Sequence, residues 1–242
     1  MDVLSKLLRE MPPADWAALA FYFVGWVGYA VFARRRARRR PSVLGATNRE
    51  RARWMTQMAR RDNRIVDAGV VQALSSSPSF FASTTILIIG GLFAVLSSAE
   101  RVSDLVHEIP FATHSTVLIF DLKILLLLGT FIYAFFRCTW SLRQYGFGAI
   151  LVGAAPLPDQ FADDGEREAY ALRAGRVMGL AAESFNDGLR AYYMSFAACA
   201  WFLSPWALIV GMVGVVTILF RREFKSEVLA ELNKPPMGHP TN

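Results

Sequence analysis

Cysteine and histidine are scarce in these 242 residues, two of the first and three of the second, and that scarcity removes several kinds of chemistry at once. Cys138 and Cys199 lie in or beside apolar runs, where they make neither a disulfide framework nor a thiolate metal site and read as small buried hydrophobes. His107 and His114 are two helical turns apart, yet no carboxylate or cysteine at ligand spacing completes a metal set with them, and His239 stands alone near the C-terminus. None of the three lies in an apolar run, which excludes paired haem ligation inside a membrane. A phosphate loop, a dinucleotide fingerprint and a nucleophile elbow are all missing. We therefore expect no catalytic residue, no metal and no cofactor.

Acids are scarce where their absence says most. Residues 34–64 hold twelve arginines against Glu50 and Asp62, a net of +10, directly after the uncharged run Trp16 to Ala33. With 54% hydrophobic residues gathered in blocks, this is the composition of a chain that lives in a bilayer. Basic residues close to a span are what cytoplasmic loops retain, so residues 34–74 are expected on the cytoplasmic side. The basic block adjoins a span and has no interleaved aromatic residue before Trp54, which argues against nucleic acid. Anionic lipid headgroups are the expected partner, each basic side chain near the surface adding roughly 1 kcal/mol of attraction. Lys6 and Arg9 before an apolar stretch imitate a secretory signal. The stretch is too long, Asp15 interrupts its approach, and arginines follow it where a cleavage site would be needed.

A bilayer core of about 30 Å requires roughly 20 apolar residues of helix. Four segments meet that length, at about 16–33, 79–96, 117–136 and 196–220, predicting an all-α integral membrane protein with four transmembrane helices and helical extensions on the cytoplasmic side. Ser77 and Pro78 suit the N-cap and first position of the second span. Residues 1–224 are expected to form one helical membrane domain and 225–242 a tail, with Pro235 onward disordered. Four spans put both termini outside. The basic residues Arg221, Arg222 and Lys225 then break the charge rule. Two alternatives would bring the C-terminus inside: a hairpin turning at Ser204-Pro205, or a fifth crossing at residues 145–157. Four spans are favoured because the asymmetry of the first loop outweighs that of the tail.

Cytoplasmic helices are expected at about 49–76 and 166–192. In the first, Trp54, Met58, Ile65 and Ala68 recur at helical spacing; in the second, Met178, Ala181, Phe185, Leu189, Tyr192 and Phe196 do so, leading into the membrane. The third span is expected to continue inward through Trp140 and Arg143. Packing the first two stripes together would gather Arg64, Asp67, Asn186, Asp187 and Arg190 into one polar cluster, either a structural ion-pair network or a seat for an anionic headgroup. Within the third span, Asp121 and Lys123 are two residues apart and point to opposite sides of a helix. Charges inside a span are a functional hypothesis by default, here transport or proton transfer. Their place near the outer end allows a solvated role instead. The pairs Gly25/Gly28, Gly90/Gly91 and Gly211/Gly214 suit close helix approach, and Ser83, Thr84 and Thr85 supply hydroxyls for bonds across helices.

Several of these stretches, Arg64-Ile65-Val66-Asp67, Ser79 to Thr85, Trp140-Ser141-Leu142-Arg143-Gln144-Tyr145, Gly188-Leu189-Arg190-Ala191-Tyr192-Tyr193 and Arg222-Glu223-Phe224, resemble a family of multi-spanning membrane proteins, domain of unknown function 599, found in bacteria and plants. The resemblance extends from the first span to Phe224. It implies a helical protein of the bacterial inner membrane and brings no activity, cofactor or site residue. The leading expectation is a non-enzymatic membrane component that binds a protein partner or anionic lipid at its cytoplasmic face, possible partners including a second copy of the chain. The alternative is a small oligomeric transporter or channel subunit using Asp121.

Overall fold

The computed structural model describes residues 10–37, 39–98 and 116–234. His107, His114, His239 and the segment from Pro235 lie outside them. Among the described residues every regular element is helical: α1 (Pro13–Ala37), α2 (Val43–Met58), α3 (Ile65–Ser97), α4 (Val117–Gly153), a 3₁₀ turn (Pro158–Gln160), α5 (Asp164–Ala200), α6 (Pro205–Phe224) and α7 (Glu227–Leu232). Three of them, α1, α3 and α4, are long and apolar enough to cross a membrane.

The fourth expected span, 196–220, is not one helix. Helix α5 stops at Ala200 and tightens into three-residue turns, Trp201, Phe202 and Leu203 bonding back to the carbonyls of Ala198, Cys199 and Ala200 at 3.1 Å each. Ser204 then caps α6, its Oγ accepting from Ala207 N at 3.0 Å, with Pro205 at the first helical position. The two helices fold back on one another. A Cβ built on Gly211 would lie 3.4 Å from the Cα of Ala197, an approach that a larger residue would crowd. Only Pro205 to Phe220 of α6 is uncharged, sixteen residues or about 24 Å of helix, short of a bilayer core. Helices α5 and α6 thus form a helical hairpin turning at Ser204-Pro205, and residues 145–153 are the end of α4.

Helix α3 also differs from expectation, because Pro78 lies inside it rather than at its start. Proline removes one backbone bond and leaves the carbonyl four residues earlier without a partner. Nearby Ser75 and Ser76 bond back to the carbonyls of Gln72 and Ala73 at 2.9 and 2.7 Å, hydroxyl bonding of the kind that accommodates such interruptions.

The described residues fall into two compact units. Among the described residues, the first comprises 10–32, those within 80–138, and Asn186–Ile218; the second comprises those within 33–79, Thr139–Phe185 and 219–234. In the first unit, polar bonds join helices that are otherwise apolar. Tyr22 and Thr130 hydroxyls meet at 3.0 Å, and the Tyr192 hydroxyl lies 2.5 Å from Thr85 Oγ1 while donating to Phe81 O at 3.0 Å. Thr85 thus performs the cross-helix role expected of its segment. Gly25 lies close against Met212 as well, but nothing stands near Gly28, Gly90, Gly91 or Gly214, so the glycine pairs mark close approach on two helices only. Large apolar side chains such as Val24, Leu87, Phe136, Trp206 and Val210 are exposed on this unit.

The second unit has a core of Met55, Met58, Val71, Tyr145, Val152 and Met178, drawn from α2, α3, α4 and α5, with Phe161 from the segment before α5. Ala52 of α2 packs so tightly on α5 that a Cβ on Gly175 would sit 3.0 Å from its Cα. The expected stripe from Trp54 to Ala68 fails halfway. Helix α2 ends at Met58, and when α3 restarts, Asn63 Oδ1 accepts from Ile65 N at 3.0 Å, leaving Ile65 exposed and Asp67 buried. The second stripe holds from Met178 through Tyr192 and ends at Phe196, which is exposed. The region set apart as a tail carries α7, and it is docked: Arg49 donates to Asn233 Oδ1 at 2.6 Å, and Leu44 N donates to Glu223 Oε1 at 3.3 Å. Glu223 and Asn233 thus tie the segment after α6 to α2.

Candidate functional site

Arg64 and Asp67, expected in one polar cluster with Asn186, Asp187 and Arg190, belong to the second unit and the other three to the first. Each group has its own partners. Arg64 donates one guanidinium nitrogen to Pro156 O at 2.5 Å and the other to Ala155 O, satisfying carbonyls just past the end of α4. Asp67 is fully buried, its Oδ1 accepting from Trp54 Nε1 at 2.7 Å and from Arg61 at 3.0 Å. Beside them Arg51 donates to Asn48 Oδ1 at 2.8 Å, and Asn48 Nδ2 donates to Glu183 Oε1 at 3.2 Å. Burial pulls the Arg51 guanidinium below its usual pKa, opposed by Tyr145 and Glu183. These contacts brace helices and offer no open face to a ligand.

In the first unit, Asp187 lies between two arginines, Arg137 at 2.7 Å and Arg190 at 3.1 Å, and Arg190 also stands 5.8 Å from the centre of the Tyr29 ring. Asn186 contributes a buried Nδ2 without a hydrogen-bond partner. Lys123 is not solvated at the outer end of its helix, as its position suggested. It is 2% exposed, with its ammonium 5.7 and 5.8 Å from the ring centres of Trp201 and Phe202. Cation–π attraction of this kind strengthens on desolvation. Asp121, two residues earlier, has one buried oxygen with no partner.

An open cavity lies in the second unit, and the sequence did not group its residues as a site. A cavity of about 470 Å³ is lined by Arg36 and Arg40 at and beyond the end of α1, by Lys225 and Ser226 between α6 and α7, and by Phe224 and Leu229. Three of the lining residues are cations and none is an acid. The Arg36 guanidinium lies 5.3 Å from the centres of both the Phe220 and Phe224 rings, which pre-organise it. The other polar lining groups are committed, Ser226 Oγ to Leu229 N at 3.2 Å and the Asn233 amide to Arg49 at 2.6 Å and Leu229 O at 2.8 Å. What the cavity presents is therefore positive charge beside an apolar wall.

The family described as protein of unknown function, DUF599, matches residues 17–228. The chain belongs to that family. Neither a curated protein nor a solved structure matches it. In this DUF599 protein, two groupings escaped sequence reasoning. The basic cavity joins residues nearly two hundred positions apart, and no local pattern links Arg36 to Lys225. Asp15, which accepts from Trp201 Nε1 at 2.6 Å, was noted only as an interruption before the first apolar run. A carboxylate just before one apolar run and an indole within another were the available signal.

Proposed function

We propose that this DUF599 protein is a multi-pass protein of the bacterial inner membrane, a non-enzymatic component that engages an anionic lipid or a protein partner at its cytoplasmic face. The observation that carries this reading is the acid-free cavity holding Arg36, Arg40 and Lys225, next to the points where the apolar runs of α1 and α6 give out. Basic residues at such a boundary attract anionic headgroups and are retained in the cytoplasm. The three apolar helices and the exposed apolar residues of the first unit support placement in a bilayer. The test is thermal unfolding of the purified full-length protein in nanodiscs. Stabilisation by anionic over zwitterionic lipid, diminishing with salt, supports the lipid reading; equal stability in both at low salt removes it.

A second reading rests on Asp121, whose partnerless buried oxygen lies in an apolar helix. In an oligomeric transporter or channel it would face a conducted cation. Flux into proteoliposomes that is abolished by Asp121→Asn supports this reading, and flux no faster than in empty vesicles refutes it.

A further inference from the structure

Building on the lipid-binding reading, we propose that the cavity between the end of α1 and the α6–α7 junction is a site for the phosphate of an anionic glycerophospholipid, with the glycerol and first acyl carbons against Phe224 and Leu229. Three properties point to that ligand. The first is charge: Arg36, Arg40 and Lys225 converge on a space lined by no carboxylate, and neither Arg40 nor Lys225 is held in an ion pair among the described residues. Guanidinium forks match the oxygens of a phosphodiester, and an ammonium adds a point charge.

The second is depth along the helices. Arg36 follows Ala33, where the uncharged run of α1 stops, by three residues or about 4.5 Å of rise. Lys225 follows Phe220, the last uncharged residue of α6, by five. Both sides of the cavity are therefore supplied by segments leaving an apolar stretch within about two turns, which is where a headgroup lies relative to a hydrocarbon core.

The third is the two-sided lining. A soluble phosphate needs only the cations, whereas here the basic side chains share the cavity with Pro41, Phe224 and Leu229. An amphiphile satisfies both halves, and free phosphate leaves the apolar half unfilled. A phosphate held jointly by Arg36 and Lys225 would also tie the C-terminal helix α7 to the end of α1, in addition to the bonds that α7 already makes to α2.

The experiment uses the full chain in nanodiscs of phosphatidylglycerol mixed with phosphatidylcholine, reading bound lipid by native mass spectrometry and backbone hydrogen exchange over the whole sequence. Two triple variants are compared: Arg36→Gln/Arg40→Gln/Lys225→Gln, and the control Arg35→Gln/Arg39→Gln/Arg221→Gln, which removes equal charge from the same segments outside the cavity. We expect retained phosphatidylglycerol to fall by about fivefold for each cavity cation removed, with much smaller losses in the control. Wild-type protection from exchange should be concentrated in residues 34–41 and 223–234. Lys225→Gln alone, at an exposed position, gives the same direction if the triple variant fails to fold. Equal losses in the two triple variants would mean diffuse attraction and overturn the site while leaving the anionic-lipid reading intact. No preference for phosphatidylglycerol in the wild type would overturn both. Inorganic phosphate producing the same protection in detergent, without lipid, would assign the cavity to a free anion and overturn the lipid assignment alone.

Discussion

Trp201, at the turn between α5 and α6, donates its indole N–H to Asp15 at the start of α1 across 2.6 Å, with both side chains buried and the Lys123 ammonium against the same indole ring. One contact thus fixes the α5–α6 turn to α1 and holds in place a carboxylate that interacts electrostatically with the buried Lys123. Removing the carboxylate leaves both an indole donor and an ammonium without it.

Asp15→Leu should therefore destabilise the folded protein by about 3–5 kcal/mol, the cost of leaving a buried charge uncompensated. Trp201→Phe, which removes one hydrogen bond and keeps most of the ring, should cost about 1.5–3 kcal/mol. Unfolding in detergent under matched conditions measures both. Asp15→Leu proving no worse than Trp201→Phe would show that the carboxylate does not balance Lys123.

A second expectation concerns the two arginines on Asp187. Asp187→Ala leaves Arg137 and Arg190 facing each other in a largely buried site and should destabilise by several kcal/mol. Arg137→Ala should rescue part of that loss, with a coupling energy of about 0.5–3 kcal/mol in the double-mutant cycle. The partner to test is Arg137 rather than Arg64, whose guanidinium is committed to the carbonyls of Ala155 and Pro156. An additive cycle would mean that the observed 2.7 Å pair contributes nothing.

Asp67 supplies the third case, because its buried carboxylate accepts from one neutral and one charged donor. Arg61 is 46% exposed, so solvent weakens its share, and Arg61→Ala should cost no more than about 1 kcal/mol. Trp54→Phe removes the donor on the protected side and should cost about 1–3 kcal/mol. Chemical unfolding that ranks Arg61→Ala above Trp54→Phe would reverse the assignment.

These cases show which features could be read from sequence. Helical class and three apolar helices follow from the length of uncharged runs, and α4 continues past Arg137 because nothing between Val117 and Gly153 breaks a helix. The uncharged run 191–220 is divided between two helices at a Ser–Pro step, a feature that hydropathy does not report. The stripe through Ile65 failed for a related reason: a helical period predicts a common face only while the helix is unbroken, and the chain leaves the helix between Met58 and Ile65. Of the two arginines on Asp187, Arg190 was in the expected cluster, and Arg137, which lies on another helix, was not. The basic cavity had no sequence signature, because its two sides meet only through the fold.

The hairpin has a consequence for topology that separates it from four spans. With residues 219–234 packed on α2 through Leu44–Glu223 and Arg49–Asn233, a reagent that reaches α2 from one side of the membrane should reach α7 from that same side. Arg53 and Glu231 are both well exposed, at 63% and 66% of the side chain, and suit replacement by cysteine in a chain whose exposed Cys199 has been changed to alanine. The charge rule puts both on the cytoplasmic side, where Arg221, Arg222 and Lys225 also belong. We expect neither site to react with an impermeant maleimide in intact cells, and both to react once the membrane is permeabilised. Labelling of the Glu231→Cys site alone in intact cells would restore the single fourth crossing and refute the docking of α7 on α2; labelling of both would keep the hairpin and invert the orientation.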